Sequence, residues 1–295
     1  MRHPRLAELL RRLAQIRMPW TSGLTLAAFT RLFRHSLSEG QVRTRSSAIA
    51  FQALLTAPPA LYFLFTLLPY IPVANLEREF IELAGLVVPE LTLEGVEPLI
   101  RALFIDRRAA PVIGLLISLF TASNGVDNVI DAFHATAHEV ESRPFLQRRI
   151  VSLALVVAIA LLTTLAILLA VATRLVSRGI YGALAGGRFA AIALESGSWI
   201  VVILLVYLAV SLLYYYAPAE RPGWRSVSVG GVLATIFVLI ASWGFSFFLR
   251  HLAQLNRLFG SLGTLMAIMI WLKLVAFSVL LGFELNVTAK AARQP

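Results

Sequence analysis

The chain has 295 residues, of which 58% are hydrophobic and only 14% are charged. A soluble domain carries about 25% charged residues, so this composition argues against a soluble protein. The apolar residues cluster in blocks of about 20, the length that crosses about 30 Å of hydrocarbon as a helix. We therefore expect an all-α, polytopic membrane bundle of about six transmembrane helices, preceded by amphipathic N-terminal helices.

The residue counts also exclude several kinds of site. The chain has no cysteine, which rules out disulfides, zinc thiolates and cysteine nucleophiles. The five histidines show no metal-binding spacing. The net charge of +10 is interpreted as arginines that flank membrane helices, in preference to nucleic-acid binding. We expect no catalytic residue, no metal, no cofactor and no nucleic-acid partner.

Residues 1–46 form a basic segment in which leucines recur at helical spacing between arginines. The arginines interrupt every apolar run in the first 20 residues, so we expect no signal peptide. Two interpretations of the segment have equal weight. Its helices lie on the cytoplasmic membrane face, where anionic lipids attract arginine, or they pack under the bundle as an orientation signal.

The transmembrane domain is predicted over residues 47–290. Its six spans are 47–72, 111–135, 149–173, 197–217, 226–249 and 261–287. Loop 73–110 is rich in acidic residues and is predicted to form an external amphipathic helix. Sixteen Lys and Arg residues flank the spans on the N-terminal side and nine on the other, so both termini, including the tail 291–295, are placed in the cytoplasm of a bacterial inner-membrane protein.

The first span contains Pro58 and Pro59 near its middle, which free two backbone carbonyls one turn earlier. Transporters use discontinuous helices of this sort to build substrate sites. The alternative is a simple kink, whose carbonyls are satisfied by Gln52, Thr56 or a neighbouring helix. The kink is the favoured interpretation, because prolines are common in membrane helices.

The second span ends in a polar stripe. Its members are Asn124, Asp127, Asn128, Asp131, His134 and His138. At ~100° per residue they fall within about a third of the helix circumference. Carboxylates that faced lipid would be costly, so the stripe is expected to face protein or water. The alternative, that the stripe simply emerges into the cytoplasm, fits the histidines better than it fits Asn124 and Asp127.

Lys273 is the one lysine inside a predicted span. It lies ~20 Å along the sixth span, at a depth similar to that expected for Asn124 and Asp127. Two hypotheses have equal weight: an ion pair with an aspartate of the polar stripe, or snorkelling to the cytoplasmic surface. Glu284 and Asn286 follow at the cytoplasmic end of the span, within reach of the basic N-terminal segment.

Three glycines of the fifth span, Gly230, Gly231 and Gly244, are interpreted as positions of close helix packing rather than of binding. Small residues let two helix backbones approach closely where lipid provides no hydrophobic driving force.

Three segments of the sequence carry a resemblance to a known family. They are Arg45 to Pro59, Ser123 to Phe133, and Phe259 to Asn286, which closes with Leu-Leu-Gly-Phe-Glu-Leu-Asn. Over about residues 43–290 the chain resembles the YihY/BrkB family, and the last segment is the most specific match. Lys273 stands where that family more often has an aromatic or apolar residue.

The resemblance implies a bacterial inner-membrane protein with six helices. Members of the family have been linked to serum resistance and to envelope or solute export, without a settled substrate. An older description of the family as ribonuclease BN is regarded as a misassignment. The sequence agrees with that view, because it offers no metal-ligand cluster and no soluble RNA-binding fold.

The function expected first is a transporter or flippase of an amphipathic or anionic envelope-related molecule or small solute. The alternative is a non-transporting membrane scaffold or envelope-integrity protein, and a membrane enzyme comes last. The substrate cavity is expected between spans 1, 2 and 6, lined by Gln52, Pro58, Pro59, Asn124, Asp127, Asp131, Lys273 and Glu284. The expected partners are membrane lipids and an unidentified substrate, and homo-oligomerisation is left open.

The three function classes predict different surroundings for Asp127. An open polar cavity that reaches Asp127 would favour transport. A polar stripe paired along its length with neighbouring helices would favour the scaffold. A metal between Asp127, Asp131 and His134 would favour the enzyme.

Overall fold

The computed structural model describes six ranges of the chain. They are 40–67, 112–137, 142–183, 187–219, 228–252 and 261–291. The helices are α1 (Gly40–Leu67), α2 (Val112–Ala137), α3 (Phe145–Ala183), α4 (Gly187–Tyr216), α5 (Val229–Leu252) and α6 (Ser261–Ala291). Residues 1–39 of the predicted amphipathic segment and the predicted external loop 73–110 lie outside the described residues.

Each of these six helices contains a stretch long and apolar enough to cross a membrane. The stretches overlap the six predicted spans, so the predicted fold class is confirmed and the chain is a multi-pass membrane protein. The helices extend beyond the predicted spans: α1 begins at Gly40 rather than at 47, and α4 at Gly187 rather than at 197. Hydropathy marks only the part of a helix that lies in hydrocarbon, whereas backbone hydrogen bonding continues into the adjoining polar residues.

The six helices form a ring in chain order. Each helix packs against the next, α6 returns to pack against α1, and α6 also contacts α2. Consecutive helices run antiparallel. We call the end at which α1, α3 and α5 begin the proximal end, and the opposite end the distal end.

A buried core fills the proximal half of the bundle and takes residues from all six helices. Its fully buried members with the largest side chains are Ile130, Phe133, Tyr214, Leu280 and Phe283. A smaller buried cluster joins α1, α2 and α3 farther along, around Phe63, Ala122 and Val156. The main core therefore lies at one end of the bundle rather than at its middle.

The proximal ends of α5 and α6 are in backbone contact. A Cβ added at Gly230 would overlap the carbonyl oxygen of Gly282, and one added at Gly282 would lie 2.8 Å from the Cβ of Ala234. The packing role predicted for Gly230 is confirmed. Gly244 differs, because a Cβ added there would meet nothing within 4 Å.

Toward the distal end the same two helices are joined by side chains, including the Phe245 and Trp271 rings, rather than by backbone contact. They leave a groove of about 520 Å³ between them, lined almost entirely by apolar side chains. Large side chains on the distal half of α5 are exposed, among them Trp243 at 74% and Phe247 at 57%. Among the described residues, the bundle is thus closely packed at its proximal end, and a groove lies between α5 and α6 farther toward the distal end.

Candidate functional site

The polar stripe of α2 lies against the first turns of α3, and we call this contact the polar clamp. It joins Asn124, Asp127 and Asp131 of α2 to Arg148 and Arg149 of α3. The short connection between the two helices brings the end of α2 beside the start of α3. Pairing with arginines satisfies carboxylates that would otherwise be costly at this depth.

Arg149 is the centre of the polar clamp and is only 8% exposed. Its Nη1 donates to Asp127 Oδ2 at 2.6 Å and to Asn124 Oδ1 at 2.8 Å. Its Nη2 donates to the carbonyl oxygen of Phe120 at 2.8 Å. The guanidinium carbon lies 3.6 Å from the centroid of the Phe120 ring, which adds a cation–π contact. A planar guanidinium with five donors suits such a site better than a lysine would.

Arg148 forms the outer part of the polar clamp. Its Nη1 lies 2.9 Å from Asp131 Oδ1 and its Nε lies 3.5 Å from Asp127 Oδ1. Asp127 also accepts a hydrogen bond from the hydroxyl of Ser152. The side chain of Asp131 is 58% exposed and that of Asp127 only 19%. Asp127 therefore carries most of the electrostatic stabilisation, because exposed pairs are weak.

Three aromatic rings from α2, α4 and α6 meet beside the polar clamp, and we call them the aromatic triad. Phe133 and Phe283 are stacked with their centroids 4.1 Å apart, and Tyr214 meets each of them edge-on at 5.7 Å. The Tyr214 hydroxyl donates to the carbonyl oxygen of Val279 at 2.6 Å. Each ring is at most 1% exposed, so the aromatic triad fills the centre of the proximal end.

Two further contacts fix the end of α4 at this closure. Arg143 donates to the carbonyl oxygens of Tyr216 at 3.2 Å and Ala217 at 2.6 Å. His134, a member of the predicted polar stripe, accepts a hydrogen bond at Nε2 from the amide of Ala219 at 3.0 Å. A cation that binds the last carbonyls of a helix is favourable. The histidine is thus a packing partner of α4. His138 lies outside the described residues.

The predicted cavity residues of α1 do not form a break. Helix α1 continues through Pro58 and Pro59 to Leu67, and Pro58 is exposed on its surface. Gln52 is half-buried, and its carbonyl oxygen accepts a hydrogen bond from the Thr56 hydroxyl at 2.9 Å. The unbroken helix agrees with the interpretation that no discontinuous substrate site exists here.

The cavity expected between spans 1, 2 and 6 stays a prediction, and the structure limits where it could lie. There the space is filled by core side chains, including Ile49 of α1, Ile130 of α2 and Leu280 of α6. Facing apolar surfaces pack to high density, which leaves no room for a substrate at this level.

Lys273 lies on the exposed face of α6, beside the exposed Leu274. The ion pair proposed between Lys273 and the polar stripe is wrong, because the cationic partners of Asp127 and Asp131 are the arginines of α3. Phe283 lies level with Phe133, and from that level Lys273 is ~15 Å distal whereas Asp127 is ~9 Å distal. The two groups therefore differ in depth as well as in the face they occupy.

Asn286 joins α5 and α6 at their crossing by hydrogen bonds. Its Oδ1 accepts from the Gly230 amide at 2.9 Å, and its Nδ2 donates to the Ser228 hydroxyl at 2.9 Å. Because the first amides of a helix lack intrahelical partners, Asn286 satisfies one of those of α5. Glu284 is buried on the same end of α6.

Sequence reasoning missed the arginines as site residues and treated them as topology signals. A signal was present: Arg148 and Arg149 open a span directly after a span that closes with two aspartates. In an antiparallel hairpin these positions face each other. The aromatic triad had no such signal, since its three rings come from helices far apart in sequence.

Within the described ranges, no group of three or more His, Cys, Asp or Glu side chains is placed to hold a metal ion. The metal site considered between Asp127, Asp131 and His134 is therefore absent from this part of the chain. The carboxylates are occupied by arginine instead.

Known sequences place the chain in a family. It is 28% identical over 254 residues to the ribonuclease-like protein YfkH of Bacillus subtilis (strain 168), covering 86% of this chain and 91% of that protein. It is 25% identical over 272 residues to the UPF0761 membrane protein Smlt0865 of Stenotrophomonas maltophilia (strain K279a), covering 90% of this chain. The chain spans only 62% of that second protein.

A shorter match links the chain to a UPF0761 membrane protein of Xanthomonas campestris pv. campestris (strain B100), with 32% identity over 87 residues, 30% of this chain and 20% of that protein. No solved structure matches the chain. The sequence model described as Virulence factor BrkB matches residues 33–295, which include all six helices. The chain belongs to the Virulence factor BrkB family.

Proposed function

We propose that this protein is a transporter or flippase of an amphipathic or anionic envelope-related molecule, and that the polar clamp and the aromatic triad together close its proximal end. One observation supports this most: side chains from all six described helices fill the proximal end, while the described residues leave a groove between α5 and α6 farther toward the distal end. Alternating access requires a carrier to close one end while the other is open. The observed asymmetry matches one of those two states.

The proximal closure is made of contacts that helices can exchange. The polar clamp joins α2 to α3 through ion pairs, and the side chain of Arg148 is 23% exposed, so water can reach the outer pair. The aromatic triad joins α2, α4 and α6 through ring contacts. Switching proteins commonly re-pair salt bridges and repack interfaces when rigid elements move. A movement of α2 would release both sets of contacts at once.

We place the protein in a bacterial inner membrane with the proximal end at the cytoplasm. The sixteen Lys and Arg residues on the N-terminal side of the spans, against nine on the other side, support this orientation. The basic N-terminal segment 1–46 would then lie at the cytoplasmic face, where anionic head groups gather. Transport is passive, ion-coupled or driven by a partner, since the sequence carries no nucleotide-binding motif.

A specific observation favours a second candidate, a membrane scaffold that transports nothing. Asn124, Asp127 and Asp131 are all paired with α3, which is the arrangement expected of a purely structural stripe. In that case the polar clamp would only fix the packing of α2 on α3. The two candidates differ in whether the clamp controls movement of a molecule across the membrane.

The test is a flux assay with purified protein in liposomes, using labelled phospholipids and small anionic solutes. Wild type should move at least one of them faster than empty liposomes do. Asp127→Asn, which removes the charge held by Arg149, should change that rate at equal folding and abundance. Asp131→Asn is the matched control, because it removes only an exposed partner of Arg148.

One result would count against transport, and another against the role of the polar clamp. If neither wild type nor Asp127→Asn moves any labelled molecule faster than empty liposomes do, the scaffold hypothesis replaces transport. A wild type that transports but is unaffected by Asp127→Asn would remove the polar clamp from the closure and leave transport in place.

A further inference from the structure

The groove between α5 and α6 is separate from the polar clamp and has no role in closing the proximal end. Its volume is about 520 Å³, which lies in the range of about 300–1,000 Å³ typical of small-molecule sites. Phe245 and Trp271 are stacked in it with centroids 5.3 Å apart. Ile240 and Ile270 are 58% and 56% exposed, so the groove opens to the outside of the bundle.

The polar atoms near the groove already have partners. Trp271 Nε1 donates to the Ser242 hydroxyl at 3.3 Å, and the Ser278 hydroxyl donates to the carbonyl oxygen of Leu274 at 2.7 Å. The surface that remains for an occupant is apolar. A ligand that relied on hydrogen bonds would gain nothing here, whereas a hydrocarbon chain would match the lining.

Along α5 the groove has about the length of one leaflet. Along α5 it extends from Phe237 to Phe248, ~16 Å, and along α6 from Ala267 to Leu281, ~21 Å. Half of a hydrocarbon core of ~30 Å is ~15 Å, which is the depth that one acyl chain occupies. On α5, which begins at the proximal end, most of the lining lies in the distal half of the span. On α6 the lining begins in the distal half at Ala267 and continues past the middle of the span to Leu281.

We infer that this groove binds a single acyl chain of a phospholipid from the distal leaflet. The groove lies within two membrane spans and opens sideways, so its mouth is in contact with hydrocarbon. An unfilled slot of this size would forfeit dispersion contacts along its whole lining, which an acyl chain restores. The inference goes beyond the proposed transport function, because a lipid site of this kind exists whether or not the protein moves a molecule.

The chain offers a matched pair of positions for a blocking experiment. A Cβ added at Gly244, which lines the groove, meets nothing within 4 Å, and the same is true at Gly197 on α4. Gly244→Phe should fill the groove without a backbone clash. Gly197→Phe adds the same ring to an exposed helix face that is not part of the groove. Gly244→Leu adds a smaller side chain to the groove and should also reduce lipid binding there.

The readout is fluorescence quenching of Trp271 by a phospholipid brominated on its acyl chain, with the protein in phosphatidylcholine nanodiscs. A variant that keeps only Trp271 reports the groove. A variant that keeps only Trp243, which is 74% exposed, reports the lipids that surround the bundle. In each variant the remaining tryptophans are changed to Phe, drawn from Trp20, Trp199, Trp224, Trp243 and Trp271.

At a low fraction of brominated lipid, Trp271 should be quenched more than Trp243, because a bound chain exchanges slowly and lies against the ring. Gly244→Phe should reduce the quenching of Trp271 to the level of Trp243, and Gly197→Phe should leave it unchanged. If the quenching of Trp271 and of Trp243 depends on the fraction of brominated lipid in the same way, the inference is overturned. So would quenching that disappears as protein per nanodisc increases, since a second copy of the chain would then occupy the groove.

Discussion

The proximal and distal halves of the bundle are built from the same six apolar helices but are packed differently. In the proximal half, glycines at the α5–α6 crossing, three aromatic rings in contact and an arginine–aspartate clamp hold the helices together. In the distal half of α5, large side chains such as Trp243 and Phe247 are exposed, and an apolar groove lies between α5 and α6. In lipid, hydrophobicity alone does not drive helices together, so small residues and polar pairs decide where they close.

The largest expected effect comes from breaking the polar clamp. Asp127→Ala leaves the buried Arg149 without its carboxylate and should destabilise the protein by about 3–5 kcal/mol. The measurement is unfolding of the purified protein in detergent by an SDS titration.

Adding Arg149→Met to Asp127→Ala should recover much of this loss, because the uncompensated charge is removed. Asp131→Ala serves as the comparison, since that carboxylate is 58% exposed and should cost at most about 1 kcal/mol. If the losses of stability caused by Asp127→Ala and Arg149→Met simply add in the double variant, the two side chains do not interact and the polar clamp is contradicted.

The aromatic triad gives the next largest contrast between the halves. Phe133→Ala removes a ring that is 0% exposed and should cost about 3 kcal/mol, the lower end of the usual range, because the packing and cavity terms persist in detergent. Phe247→Ala, on the distal half of α5, should cost little because that ring is 57% exposed. Thermal unfolding of the two variants side by side checks the prediction. Equal losses would show that the closure does not lie at the proximal end.

Two glycines on α5 should respond to alanine with opposite signs. Gly230→Ala places a methyl group against the backbone of Gly282 and should destabilise by about 1–3 kcal/mol. Gly244→Ala meets open space and should stabilise by about 0.5–1 kcal/mol through helix propensity alone. The midpoints of SDS unfolding report both changes. A loss of similar size at both positions would mean that α5 and α6 approach closely along their whole length.

The smallest effect is expected at Lys273. Its exposed position on α6 and the pairing of the aspartates with α3 predict that Lys273→Met changes stability by at most about 0.5 kcal/mol. A double variant with Asp127→Ala should show no coupling between the two sites. Coupling well above that value, measured by the same unfolding titration, would restore the ion pair between Lys273 and the polar stripe.

The sequence was sufficient for the class of protein, the number of spans and their approximate ends. Crossing hydrocarbon requires about 20 consecutive apolar residues with every backbone group bonded within the helix, so each span is a local property of the chain. The same rule required the polar stripe of α2 to face protein or water, and the structure shows that it faces α3.

The partners of these groups depended on the tertiary structure. From the sequence, Lys273 was the one cation considered as a partner for Asp127, and the placement of α3 beside α2 selected Arg149 instead. The aromatic triad combines rings from α2, α4 and α6, which no local pattern relates.

The tertiary structure also decided the asymmetry between the proximal and distal halves. Gly230 and Gly244 are both glycines on one helix, yet one lies in a backbone contact and the other beside a groove. A sequence specifies each helix through local hydrogen bonding and hydropathy. Which faces meet, and at what depth they separate, follows from packing among all six helices together, and that is a property of no single span.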